Sequence, residues 1–298
     1  MGEEQFAHLP TGIDLCHQTF GDPADPTVLL VMGLGGPMGW WRTAFCEKLA
    51  RRGFHVVRYD NRDTGRSTSL RHRRVSMRDI LGAYVRPGRA PYGIIDLAED
   101  AIGLLDHLGV EKAHVVGVSM GGMIAQEIAI GWPDRVASLT SIMSTTGRRT
   151  AGWIHPAVIP TMLRPGGSTR EEYIDGVVAS AKVIGSPAFP TPEDKTRARA
   201  AETWDRGWLA SGVRRHMLAV LTARDRTDLL RELDVPTTVI HGGSDRLVHR
   251  SGGRATAAAI RGAEHLEIAG MAHDLPEQLD DPILDAIVST AKRATVSR

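Results

Sequence analysis

Ala113-His114-Val115-Val116-Gly117-Val118-Ser119-Met120-Gly121-Gly122-Met123-Ile124 is the stretch whose reading decides the fold. An apolar run (Ala113–Val118) stops at a serine, and residues of helical character (Met120–Ile130) begin immediately after it. A serine on so sharp a strand-to-helix turn needs strained backbone angles. It also needs neighbours without a Cβ where the flanking segments come close, which the pattern Gly117-Val118-Ser119-Met120-Gly121 supplies. The helix that follows points its free N–H groups and positive end back at the turn, where an anion would form. Ser119 is therefore the candidate nucleophile.

Outward from this point, short β-branched runs alternate with longer helical stretches, the pattern of a doubly wound, mostly parallel α/β sheet. Strands are expected at Thr27–Met32, Phe54–Tyr59, Ala113–Val118, Val136–Met143, Val235–Gly242 and His265–Gly270. Helices are expected at Gly39–Arg52, Ile94–Leu108, Met120–Ile130 and Pro276–Lys292. Gln5–Leu9 and Ile13–Phe20, parted by Pro10-Thr11-Gly12, read as an antiparallel hairpin edging the sheet. Arg66–Gly93, rich in Arg, Gly and Pro, reads as a long exposed loop with one short helix. Between Thr145 and Leu230 the rhythm breaks. Helix-forming, Arg-rich segments are punctuated by Pro156, Pro160, Pro165, Pro187, Pro190 and Pro192, and no central strand is evident. The expected division is a core of residues 1–144 and 231–298 with a helical cap of residues 145–230 inserted.

A serine hydroxyl becomes a useful nucleophile only when a base takes its proton and an acid orients that base. Asp245 directly follows the run Val235–Ile240, in Gly242-Gly243-Ser244-Asp245, and His273 directly follows His265–Gly270. Ser119, Asp245 and His273 thus all fall at the carboxyl ends of strands, where open α/β sheets place their ligand sites. Asp274 is too close to His273 in sequence to orient it, and the alternative acid position after Val136–Met143 holds Ser144-Thr145-Thr146. Backbone donors for an oxyanion are expected from Met120 and from the glycine-rich loop Met32-Gly33-Leu34-Gly35-Gly36, with Leu34 preferred over Gly33. That loop completes neither phosphate-binding glycine pattern. Met38, Trp40, Trp41, Trp153, Met162, Trp204, Trp208 and Met217 are candidates for an apolar pocket, each of them equally suited to the core.

The charge balance is close to even, 36 basic against 35 acidic side chains, so no global field would draw nucleic acid or an anionic membrane. Arg71–Arg74 and Arg148–Arg149 read as solvated loops. Two cysteines, Cys16 and Cys46, are too few for a disulfide framework, and the start lacks the blocks of a signal peptide, so a cytoplasmic setting is expected. No H-E-x-x-H or paired C-x-x-C motif occurs and the nucleotide fingerprint of hydride chemistry is missing, so neither metal nor cofactor is expected. His55, His114 and His241, in or beside strands, read as packing residues. The partner is expected to be a small molecule.

The set Gly33, Tyr59-Asp60-Asn61-Arg62-Asp63-Thr64-Gly65-Arg66-Ser67, Gly117-Val118-Ser119-Met120-Gly121-Gly122, Asp245 and His273 resembles the α/β-hydrolase superfamily over nearly the whole chain except the cap. Within it, Val31-Met32-Gly33 and the Arg58–Ser67 segment resemble the capped carboxylesterases that include the aclacinomycin methylesterase group. The resemblance implies Ser119 as nucleophile, Asp245 as acid and His273 as base, with backbone near Leu34 and at Met120 binding the oxyanion. It implies hydrolysis of a carboxylic ester of a small hydrophobic molecule. A C–C bond hydrolase, lactonase or perhydrolase with the same triad, and a non-catalytic ligand receptor on the same scaffold, are the alternatives. One departure stands out: Met32-Gly33 occupies the place of the usual His-Gly, as in the methylesterase-like branch, and removes an orienting imidazole. The serine at the elbow argues against the aspartate-nucleophile dehalogenases and epoxide hydrolases. The charged Asp60–Ser67 segment is expected to tie a loop down rather than to touch substrate.

Overall fold

The structure, a computed structural model, describes residues 2–85, 88, 90–162 and 167–296; Arg86, Pro87, Arg89 and Pro165 fall outside these, as does the side chain of Met162. Its centre is an 8-stranded sheet in the order β1-β2-β4-β3-β5-β6-β7-β8. The strands are β1 (Gln5–His8), β2 (Asp14–Phe20), β3 (Thr27–Val31), β4 (His55–Tyr59), β5 (Ala113–Val118), β6 (Val136–Ile142), β7 (Thr237–Gly242) and β8 (Glu264–Ile268). β1 and β2 form the expected antiparallel hairpin at one edge, and all pairings from β4 to β8 are parallel. The chain winds from β3 out to β4 and then returns across β3 to β5, so the reversal of winding falls between β3 and β5. A crevice opens at such a point above the strand ends, where the glycine loop after β3 and the serine after β5 lie side by side.

Alternate residues of the inner strands feed two cores. Leu29 and Val31 of β3, with Val115 of β5, pack under helices Ile94–His107 and Met120–Gly131, while Val28, Leu30 and Val116 pack against Thr43–Ala50 and Asp280–Val296. Every residue of β3, β4, β5 and β7 is buried, as expected for strands covered on both faces. Helix Met120–Gly131 is buried along almost its whole length, which matches a sequence apolar apart from Gln126 and Glu127, both of which pair with arginines.

The expected single helix over Gly39–Arg52 is two elements, a 3-10 turn at Met38–Trp40 and a helix at Thr43–Ala50. The break is at Trp41, whose carbonyl is taken by the buried Arg58 guanidinium and whose side chain is buried in the core. Between β6 and β7 the described residues contain helices and no strand: Ile159–Met162, Arg170–Ile184, Glu193–Asp205, Ala210–Leu221 and Thr227–Arg231.

Buried ion pairs tie these helices to the loop after β4. Arg215 holds Asp63 through Nε at 2.7 Å and Nη2 at 2.6 Å, both side chains fully buried. Arg206 binds Asp60 (2.7 Å) and also Glu4 near the chain start. Arg62 turns the other way, to Asp100 on helix Ile94–His107 at 2.6 and 2.7 Å. The charges of the Asp60–Ser67 segment are thus spent on internal partners.

Candidate active site

Ser119 sits at φ 56° and ψ −120°, in the left-handed half of backbone space that a residue with a Cβ rarely enters. Its glycine neighbours explain how the turn closes. A Cβ on Gly117 would collide with the Gly121 carbonyl, one on Gly121 with the Val31 carbonyl, and one on Gly122 with Ser144 Cβ. Ser144 Oγ in turn donates to the Ser119 carbonyl at 2.8 Å and holds the turn from the β6 side.

The three residues expected to work together do meet. Ser119 Oγ is 3.0 Å from His273 Nε2, and His273 Nδ1 is 2.7 Å from Asp245 Oδ2. The carboxylate fixes the tautomer: Nδ1–H donates to Asp245, and Nε2 is left as acceptor for the serine hydroxyl. Asp245, itself fully buried, is oriented through its other oxygen by the N–H groups of Leu247 and Val248, each at 2.9 Å. His241 stands behind it, its Nε2–H bonded to the Val248 carbonyl at 2.9 Å, and burial lowers its pKa. The loop bearing His273 is pinned by His273 N–H to the Ile184 carbonyl (3.0 Å) and by Ala272 N–H to Ser186 Oγ (2.8 Å). Asp274 accepts from Ser186 N–H at 3.1 Å and from its hydroxyl, so it fastens this loop and does not orient His273.

The glycine loop lies against the elbow. A Cβ on Gly33 would stand 3.1 Å from the Val118 carbonyl and 3.2 Å from Ser119 Cβ. Neither Leu34 N–H nor Met120 N–H, the latter at the start of its helix, donates to another described residue. Next along the loop, Gly35 N–H donates to His216 Nδ1 at 3.1 Å, while His216 Nε2–H donates to the Arg62 carbonyl at 2.8 Å. Burial drives the pKa of His216 down to about 4, so at neutral pH the ring is uncharged with one nitrogen free to accept. An imidazole from helix Ala210–Leu221 therefore holds a loop that lacks the histidine commonly found before it. Sequence reasoning missed His216, which lies far from any motif and inside an Arg-rich helix; no local signal marks it.

The serine opens into a cavity of about 870 Å³, at the upper end of the range for small-molecule sites. Met32, Met123, Met143, Tyr173, Val213 and Leu221 give it an apolar wall. Of the expected pocket residues, Trp40, Trp208 and Met217 line it, together with Gly33, Leu34 and Met120. Met38 does not: it is buried, its N–H bonded to Asp60 Oδ1 at 2.7 Å. Trp153 is also elsewhere, 44% exposed and stacked on His249 with ring centroids 4.2 Å apart. Trp41 belongs to the core, and Trp204 packs behind the wall on Trp208 and Tyr173. The cysteines offer no rival nucleophile, since both are buried and their thiols are pushed up to about 12 by desolvation.

The family pattern for the alpha/beta hydrolase fold matches residues 26–278. The chain belongs to the α/β-hydrolase family. Among relatives of this hydrolase is the rhodomycin D methylesterase DnrP of Streptomyces peucetius, 29% identical, with 95% of this chain and 97% of that protein covered. The rhodomycin D methylesterase DauP of a Streptomyces species is equally similar, at 29% identity and the same coverage. Among solved structures, the enol-lactonase of Burkholderia xenovorans LB400 superposes with a TM-score of 0.75 over 97% of this chain and all of the other, at 21% identity, a likeness of fold. Among the described residues, no helix of this α/β hydrolase is long and apolar enough to cross a membrane.

Proposed function

We propose that the protein is a serine ester hydrolase that cleaves a carboxylic ester, including methyl esters, of a small hydrophobic molecule through an acyl-enzyme on Ser119. The observation that carries this reading is the continuous hydrogen-bonded relay Ser119–His273–Asp245, whose serine and histidine line a mainly apolar cavity. Two relatives named methylesterases, matched over nearly their full length, support the choice of ester.

In this reading Ser119 Oγ attacks the carbonyl carbon as His273 Nε2 accepts its proton. The charge on the carbonyl oxygen is taken by the N–H groups of Met120 and Leu34, with Gly33 giving the loop its close approach. His273 returns the proton to the leaving alcohol and then draws one from water to release the acid. Asp245 holds the imidazole in the working tautomer and balances its transient charge. Residues 145–230 act as a cap over a core of residues 1–144 and 231–298, and supply Tyr173, Trp208 and Met217 to the cavity wall. The chemistry calls for no cofactor, and two free buried thiols suit a cytoplasmic setting.

Purified protein should hydrolyse 4-nitrophenyl and methyl esters of hydrophobic acids, and Ser119→Ala should lose at least roughly a thousandfold in kcat. Full activity in that variant would refute the proposal. Turnover of matched lactones or vinylogous diketones with no turnover of simple esters would point instead to the other bond-breaking reactions of the same triad.

A further inference from the structure

The wall of the cavity is mainly apolar, with charged side chains from Lys182, Glu193, Arg199 and Asp274. Arg199, on helix Glu193–Asp205, lines it alongside Asp274 and Ser186, and its guanidinium carbon lies 5.4 Å over the centroid of the Trp40 ring. The ring is itself held, by Trp40 Nε1–H donating to Thr203 Oγ1 at 3.0 Å. The guanidinium makes no hydrogen bond or ion pair with another described residue, although elsewhere in the fold Arg58, Arg62, Arg206, Arg215 and Arg226 are each hydrogen-bonded to a buried acceptor. Asp274 is near enough to exert an electrostatic pull on Arg199, yet it forms no salt bridge with it, and its Oδ1 is occupied by Ser186. Lys182, also on the cavity wall, is neutralised by Glu193 at 3.2 Å.

A guanidinium set in an apolar wall without acceptors is costly to keep, and burial lowers the pKa of this one. Cation–π contact with Trp40 offsets part of that cost and fixes the group's position, but leaves its N–H fork unused. That fork matches two oxygens of a carboxylate, or one strongly charged oxygen, in a ligand that fills the rest of the cavity with apolar surface. We propose that Arg199 is the anchor for an oxyanion on the non-reacting part of the substrate, so that the preferred ester is a hydrophobic molecule bearing a carboxylate or an ionised phenol. This rests on the ester-hydrolase reading and adds to it a charge requirement that the relatives' names do not contain.

The test compares methyl 2-naphthoate with two analogues that carry a second group at position 6, a carboxylate in one and a hydroxyl in the other. The hydroxyl compound is assayed on both sides of its phenol pKa. The ratio of kcat/KM for the charged ester to that for the neutral one should fall roughly ten- to a hundredfold in Arg199→Met, the usual effect of losing a charged hydrogen bond, and should recover in part in Arg199→Lys. A ratio unchanged in Arg199→Met overturns the proposal. A fall for the carboxylate alone, or for the ionised phenol alone, identifies which oxyanion the site accepts. Binding of 2-naphthoate and 2,6-naphthalenedicarboxylate is measured by calorimetry on Ser119→Ala with and without Arg199→Met, and needs no catalysis. Weaker binding only in the Arg199→Met background supports the anchor even if no ester is cleaved, whereas equal binding, or none, in both proteins overturns it.

Discussion

Ser119 occupies a backbone conformation that costs energy, and the residues around it show what maintains it. Gly117 and Gly121 permit main-chain contacts that no side chain would allow, and Ser144 Oγ secures the serine carbonyl at 2.8 Å. Gly117→Ala places a methyl group against the Gly121 carbonyl, backbone that cannot swing aside. It should destabilise the protein by more than about 3 kcal/mol, or prevent its folding, in urea unfolding followed by circular dichroism. A variant with wild-type stability would mean that the elbow is looser than described. The meeting of Ser119, His273 and Asp245 was legible in the sequence, because strand ends are marked by glycine and the residues that follow them are forced to one edge of the sheet. Met38 and Trp153 were not, since a large apolar side chain carries no local mark of which neighbour it faces. Met38 lies beside Asp60, and Trp153 beside His249.

Helix Ala210–Leu221 joins the segment between β6 and β7 to the working edge of the sheet. Arg215 grips Asp63 in the loop after β4, and His216, one residue on, bridges Arg62 O and Gly35 N–H. His216 thereby acts as a positioning residue for the loop carrying Leu34. His216→Ala should lower kcat for a neutral ester by up to roughly a hundredfold with little change in KM, as loss of an oxyanion donor does. His216→Asn, which keeps an acceptor and a donor, should restore part of it. A change confined to KM, or equal loss in both variants, would reduce His216 to a packing residue. The strands and most helices could be read from hydrophobic period, but the broken helix at Trp41 could not. Its cause, Arg58 seizing the Trp41 carbonyl, joins two positions separated by the helix Thr43–Ala50 and is invisible to local pattern.

The molecule as a whole buries imidazoles in neutral form. Burial takes both His114 and His216 from the ordinary value of 6.5 down to about 4, and His17, His55 and His241 are lowered for the same reason. In the unfolded chain these rings take up protons near pH 6.5, and in the folded protein they do so only at lower pH, near 4 for His114 and His216. Their contribution to stability is therefore intact above pH 6.5 and is lost on acidification, for His114 and His216 as pH falls towards 4. His114 and His216 should each cost about 1 kcal/mol per pH unit within that window. The unfolding free energy should thus drop steadily from pH 7 to 5, with a shallower slope in His216→Asn. Stability that rises on acidification over this range would contradict the burial pattern. The parallel sheet and the helical segment were legible at this scale from alternation of strand and helix signals alone. How the helices sit over the sheet was not, because Arg206–Asp60 and Arg215–Asp63 pair residues whose partners sequence cannot name. If His273 activates Ser119 as proposed, a fluorophosphonate followed by intact-protein mass spectrometry should give a single adduct mapped to Ser119, formed slowly in His273→Ala and not at all in Ser119→Ala. No adduct on the folded wild-type protein, or one on another residue, would contradict it.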